Sequence, residues 1–286
     1  MNKGKYLYII AGPTASGKTQ KALDLASEWN TEIISADSRQ FYKEMNIGTA
    51  KPSNEQLKTV PHHFISNISI HDTYDAGKYE KEVLVLLDQL FNKYDRLIMV
   101  GGSGLFIKAI TSGFDAFPAI DTNIREELQA KYSTEGIEIL QKIVSDNDPE
   151  YYARVDIYNH RRLQRAAEII LQTGRAFSSY QSSIPKERDF NIVKNIIELP
   201  REQVYNQINK RVLDMIEQGL EAEAMSLYPF RNLRPLQTVG YNEWYKSAEG
   251  IYSRDKAIEL IQQNTRNYAK RQMTWFRNDG GWKVLK

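Results

Sequence analysis

The chain has 286 residues, 41% hydrophobic and 26% charged, with a formal net charge of +2. That composition excludes a disordered chain, and a mean hydropathy of −0.54 with no apolar run near the about 18 residues of a membrane span leaves neither secretion nor membrane insertion expected. Cysteine is absent, which excludes disulfides, Cys-ligated zinc and thiol catalysis and suits a cytoplasmic location.

The apolar run Tyr6–Ile10 predicts a buried strand that meets Gly12-Pro13. Lys18–Trp29 carries apolar residues at helical spacing. Glu32–Ala36 reads as a second strand ending at Asp37, and a polar loop region with Gly48, Pro52 and Pro61 follows. Lys78–Phe91 reads as a helix, Arg96–Val100 as a third strand, and Gly104–Thr111 as another helix. This alternation argues for an α/β fold with a parallel sheet covered by helices. After Pro118 the pattern becomes helical, over Asp121–Tyr132, Thr134–Ser145, Pro149–Arg154 and Asn159–Gln172, with Gly174 as a stop. Asp189–Leu199 returns to strand, and the remainder is mostly helical. The expected organisation is a core of 1–115 and 189–286 with a helical C-terminal part, interrupted by a helical insertion domain over 116–188. Two basic zones stand out on a nearly neutral chain: five arginines between Arg154 and Arg175, and six basic residues from Asn264 to Lys286.

Gly12-Pro13-Thr14-Ala15-Ser16-Gly17-Lys18-Thr19 matches the phosphate-loop pattern, between a predicted strand and a predicted helix. Its glycines let several backbone N–H groups face one anion, and the helix N-terminus adds positive potential. Lys18 supplies a point charge, and the Thr19 hydroxyl suits Mg²⁺. The loop implies a diphosphate or triphosphate without naming a nucleotide or a hydrolysis. Nucleotide hydrolases usually close an apolar strand with an acid. Here Leu97–Val100 ends in Gly101-Gly102-Ser103-Gly104, and Asp37 is the acid at a strand end, as general base or as metal ligand.

Further motifs occur in order: Ser35–Gln40, Gly48–Pro52, Pro61-His62-His63, Gly101–Leu105, Asp148-Pro149, Arg161–Arg165, Gln237–Tyr241 and Lys270–Phe276. With the phosphate loop they resemble the bacterial tRNA dimethylallyltransferase family over essentially the whole chain. The resemblance implies a P-loop NTPase-like core, a monomer and no membrane partner. It also implies transfer of a dimethylallyl group from dimethylallyl diphosphate to the N6 amine of adenosine 37 in tRNA. The anticodon stem-loop would be gripped between core and insert. Asp37, Ser103 (threonine in most relatives) and Arg211 are then the catalytic candidates. Gly12, Pro13, Thr14, Ala15, Ser16, Gly17, Lys18 and Thr19 would hold the diphosphate, with Mg²⁺ at Thr19. Asp37, Ser38, Arg39, Gln40, Ser103, Arg125, Arg161, Arg162, Leu163, Gln164 and Arg165 would face the tRNA, with Gln40 able to read an adenine edge.

One local departure is Ile157-Tyr158-Asn159, where many relatives have Pro-Asn-Asp. His62 and His63 are adjacent and would point opposite ways in a strand, so they are not expected to share a metal. Ser103 would also suit a helix N-cap, and Trp275 and Phe276 would suit packing. Three other functions compete: an isopentenyltransferase acting on free adenine nucleotides, an ATP-dependent small-molecule kinase, and a non-catalytic RNA-binding module. The arginine-bearing insert favours tRNA over free nucleotides. The missing acid after Val100 counts against the kinase, and the intact phosphate loop against a mere binding module.

Overall fold

The apolar run at the start forms β1 (Tyr6–Ala11), a central strand in the computed structural model, which describes residues 4–182 and 184–285. Then follow α1 (Lys18–Trp29), β2 (Ile33–Ser35), α2 (Asn54–Thr59), β3 (His62–His63), α3 (Ala76–Phe91), β4 (Arg96–Gly101) and α4 (Gly104–Thr111). A helical segment comprises α5 (Thr122–Glu135), α6 (Glu138–Asn147), α7 (Pro149–Tyr152) and α8 (His160–Thr173). The chain continues as β5 (Asn191–Ile197), α9 (Arg201–Glu217), α10 (Leu220–Ser226), α11 (Asn242–Ala248), α12 (Arg254–Asp279) and β6 (Lys283–Leu285).

The six strands form one parallel sheet in the order β3-β2-β4-β1-β5-β6. Tyr6 stands opposite Arg96 on one side and Asn191 on the other. Because β1 is covered on both faces, its sequence is continuously apolar rather than alternating. Successive side chains still part to opposite faces. Leu7 and Ile9 join Leu97, Met99, Tyr79 and Phe41 in the larger core, and Ile10 joins Ile98, Leu23 and Ala26 beneath α1. This α/β architecture places the carboxyl ends of β1, β2 and β4 at one edge, where such sheets bind ligands.

The chain divides into two compact units, Met1–Ser112 with Glu187–Lys286, and Gly113–Lys186. The second has its own core, including Leu128, Leu140, Val144, Leu163 and Phe177. Buried Asp148 explains the Asp-Pro motif: its carboxylate caps α7 at Tyr151 N–H (3.0 Å) and accepts from Ser178 N–H (2.6 Å) and Ser178 Oγ (2.8 Å). The first unit resumes at Glu187, and Arg188 donates to Glu80 and to the carbonyls of Ala109 and Ile110, each at 2.8 Å.

Element ends differ from expectation at a few places. The region read as polar loop contains α2, closed by a Ser53–Gln56 capping box. It has no buried residue and hence no apolar stripe to betray it. The expected Thr134–Ser145 helix begins later, at Glu138, because Gly136 breaks the chain with φ 77°. Among the described residues no helix is long and apolar enough to cross a membrane.

Candidate functional site

The phosphate loop runs from the end of β1 into α1. Gly17 occupies the N-cap position in left-handed conformation (φ 83°) and offers no side chain to the first-turn amides, which leaves them available to an anion. Lys18 is buried, and its Nζ donates to Pro13 O at 3.2 Å. Burial pushes the Lys18 ammonium down to about 8; Asp37 opposes that shift and Arg211 adds to it. Ser16 Oγ is buried in the same loop with no hydrogen-bond partner among the described residues.

Lys18, Thr19, Asp37 and Arg211 line one cavity of about 300 Å³. The apolar side chains Val212, Met215, Leu220 and Ile261 from α9, α10 and α12 line the same cavity. Burial also lowers the Arg211 guanidinium, with Asp37 opposing it. Tyr268 of α12 faces the same space, its phenol pushed up to about 12 by burial and by the Asp37 carboxylate. Cationic and apolar side chains thus line a single cavity, and the Asp37 carboxylate acts electrostatically on both Lys18 and Arg211.

The segment after β2 is held in a tight turn. Asp37 Oδ1 accepts from Arg39 N–H (3.1 Å), and Arg39 Nη1 donates to Pro235 O (2.9 Å). Ser103 does not cap α4 with its side chain. Its Oγ accepts from Ser38 N–H at 3.0 Å and bonds Ser38 Oγ at 3.1 Å, tying the β4 exit to the Asp37 turn. Gln40 is buried, and its Nε2 donates to the carbonyls of Thr49 (3.2 Å) and Ala50 (3.1 Å). In this structure both amide hydrogens brace the Gly48–Pro52 loop, so the expected readout of an adenine edge has no free donor there.

Three site residues escaped the sequence reading. Gln272 of α12 accepts from Thr14 N–H (2.9 Å) and donates to Gly102 O (2.9 Å), spanning the phosphate loop and the β4 exit. A Cβ on Gly102 would stand 2.2 Å from Gln272 Nε2 and would displace that amide from its bond to Gly102 O. Glu223 accepts from the backbone N–H groups of Asn46, Ile47 and Gly48 (2.8–3.1 Å) and from Tyr241 Oη (2.7 Å). It thereby fixes the loop that contributes Gly48, Thr49 and Ala50 to the cavity. Tyr268 is the third. The one available signal was the Lys270–Phe276 motif, whose buried amide reads as part of a basic run.

The two histidines lie on β3 outside the cavity. His63 Nε2 contacts Glu32 at 2.5 Å, and His62 Nδ1 contacts Val60 O at 2.7 Å. Trp275 packs against Gly104 and edge-on against Phe276.

In the second unit, Arg161 and Arg162 are exposed on α8. Arg125 and Arg165 instead share the buried Glu168 carboxylate, at 3.3 and 3.6 Å. Gln164 Nε2 donates to Gln129 Oε1 at 3.3 Å. Leu163 departs from its expected place on the RNA face: it is 0% exposed in the core of this unit, because its position on the amphipathic α8 points inward.

A family model described as IPP transferase matches residues 40–279. The chain belongs to that family. It is 49% identical over 274 residues to the tRNA dimethylallyltransferase of Christiangramia forsetii, covering 96% of this chain and 91% of the relative. The tRNA dimethylallyltransferase of Cytophaga hutchinsonii is 44% identical over 275 residues, covering 96% and 90%. Among solved structures, the full-length tRNA isopentenylpyrophosphate transferase of Bacillus halodurans is 35% identical, with a TM-score of 0.72 over 99% of this chain and 90% of that one. The family supplies the chemistry against which the cavity is to be judged.

Proposed function

We propose that this chain transfers a dimethylallyl group from dimethylallyl diphosphate to the N6 amine of adenosine 37 in tRNA. The observation that carries the reading is the mixed lining of one cavity. Lys18 and Arg211 suit a diphosphate, Val212, Met215, Leu220 and Ile261 suit a short branched hydrocarbon, and Asp37 lines the same cavity. Relatives named for this reaction span nearly the same length.

In the proposed reaction the N6 lone pair attacks C1 of the allyl group as the C1–O bond breaks. The bonding pair leaves with diphosphate, and the N6 proton passes to the Asp37 carboxylate acting as general base. Lys18, Arg211 and the loop amides stabilise the charge gathering on the leaving group. The Ser103 hydroxyl, fixed by Ser38, keeps the Asp37 turn in register.

Mg²⁺ fits the donors at hand. The described residues hold no cluster of three or more His, Cys, Asp or Glu that could cage a metal, and the cavity instead offers the Thr19 hydroxyl beside the diphosphate place. That suits an ion taking most of its ligands from phosphate oxygens and water. When bound, it would neutralise diphosphate charge. Arg161 and Arg162 are proposed to meet tRNA phosphates.

A transfer assay tests the reading. Purified protein, Mg²⁺ and radiolabelled dimethylallyl diphosphate are offered unmodified tRNA, AMP and ATP in parallel. Label in tRNA, lost when adenosine 37 is replaced by guanosine, is the expected result. Label only in AMP or ATP would move the function to free nucleotides, and no label in any acceptor would overturn prenyl transfer.

A further inference from the structure

Tyr158 is 78% exposed, yet its backbone is held on every side. Tyr158 N–H donates to Asp156 Oδ1 (3.1 Å), and its carbonyl accepts from His160 N–H (3.2 Å). The neighbouring Ile157 carbonyl accepts from Gln141 Nε2 of α6 (2.9 Å), and Asn159 N–H returns to Asp156 O (3.0 Å). Asn159 then caps α8 at Arg162 N–H (3.2 Å), and the His160 ring stacks on Tyr132 at 5.8 Å with 13° between planes. A flexible surface loop would need none of this. The turn presents one aromatic ring to solvent on a backbone that is already ordered.

The residues that follow Tyr158 in the chain say what it meets. Arg161 and Arg162 follow it on the first turn of α8, both exposed, and neither enters a salt bridge among the described residues. An exposed aromatic on a hydrogen-bonded turn, followed in the chain by two exposed arginines without a salt bridge among the described residues, suits an unpaired nucleobase on the ring and phosphates on the cations. A protein surface would supply carboxylates for the arginines but gives no reason for a single, otherwise isolated ring. Resting on the proposed action on tRNA, we infer that Tyr158 is a stacking platform for an unpaired base of the anticodon loop.

The test is binding of a fluorescently labelled anticodon stem-loop to the full-length protein across a salt series. Tyr158→Ala is expected to weaken binding about tenfold or more, with the slope of log affinity against log salt unchanged, because stacking displaces no counterions. Tyr158→Phe and Tyr158→Trp are expected to bind within about threefold of the parent, since a ring suffices. Circular dichroism controls for folding. Parent-like binding by Tyr158→Ala would overturn the inference while leaving the function reading intact. A loss in Tyr158→Phe equal to that in Tyr158→Ala would overturn it too, making the hydroxyl the contact. Absence of stem-loop binding by the parent protein would instead count against action on tRNA itself.

Discussion

Lys18 carries the sharpest consequence at the level of single residues. Its ammonium is pushed down to about 8, so the protonated fraction falls as pH rises through that value. Binding an anion favours the charged form. Affinity for inorganic diphosphate, read by calorimetry without metal, is therefore expected to decline from pH 7 to 9. Lys18→Met should bind more weakly and lose that pH dependence; a decline of equal steepness in the variant would assign the titration elsewhere. Asp37 tests the proton transfer. Asp37→Ala should lower kcat by about 10²–10⁴-fold, the usual worth of a general base, and leave stem-loop affinity within about threefold. Unchanged turnover would remove it as base.

At the level of elements, the sequence declared most of what the sheet required. The phosphate loop was legible because its function demands a fixed spacing, and β1, β4 and α1 because deep burial imposes uninterrupted or periodic apolar residues. The short α2 and the edge strands β3 and β6 bury too little to leave a pattern. Half of the cavity was equally silent. Met215, Leu220 and Ile261 look like any helix-core residues, and Gln272 and Glu223 act on backbone groups distant in sequence. Arg188 gives a measurable example of such a tie. It joins the start of the resumed core to α3 and α4 through Glu80, with both side chains 9% exposed. Arg188→Ala removes a cation from a buried carboxylate and a donor from two carbonyls. The lost hydrogen bonds to Glu80 and the two carbonyls should cost about 1–3 kcal/mol, read as a lower urea midpoint at unchanged slope. A shift below about 1 kcal/mol would mean that the pair is solvated in solution.

For the whole molecule, the distribution of charge matters more than its sum. A net charge of +2 predicts weak general attraction for nucleic acid, so RNA affinity must come from local groups. The structure separates those groups. Arg125 and Arg165 already answer Glu168, whereas Arg161 and Arg162 enter no salt bridge among the described residues. Replacing Arg161 and Arg162 by Ala should reduce the salt slope of stem-loop binding by about 1.4–1.8, the worth of two phosphate contacts. Adding Arg165→Ala should change it little further. An unaltered slope in the double variant would leave both arginines as ordinary solvated side chains.

The sheet order also dictates a schedule of synthesis. β1 is made well before one of its two neighbours, since β5 follows only after the whole helical segment and β6 after that. Until then the nascent chain exposes one open edge of an apolar central strand, a hazard for sticky encounters with other chains. The Gly113–Lys186 unit, whose helices contact near neighbours in sequence and which has its own core, can meanwhile fold as soon as it clears the exit tunnel. Genes of this type therefore gain from brisk translation between codons 113 and 197, and slowing synthesis there should raise the yield of aggregate at constant message level.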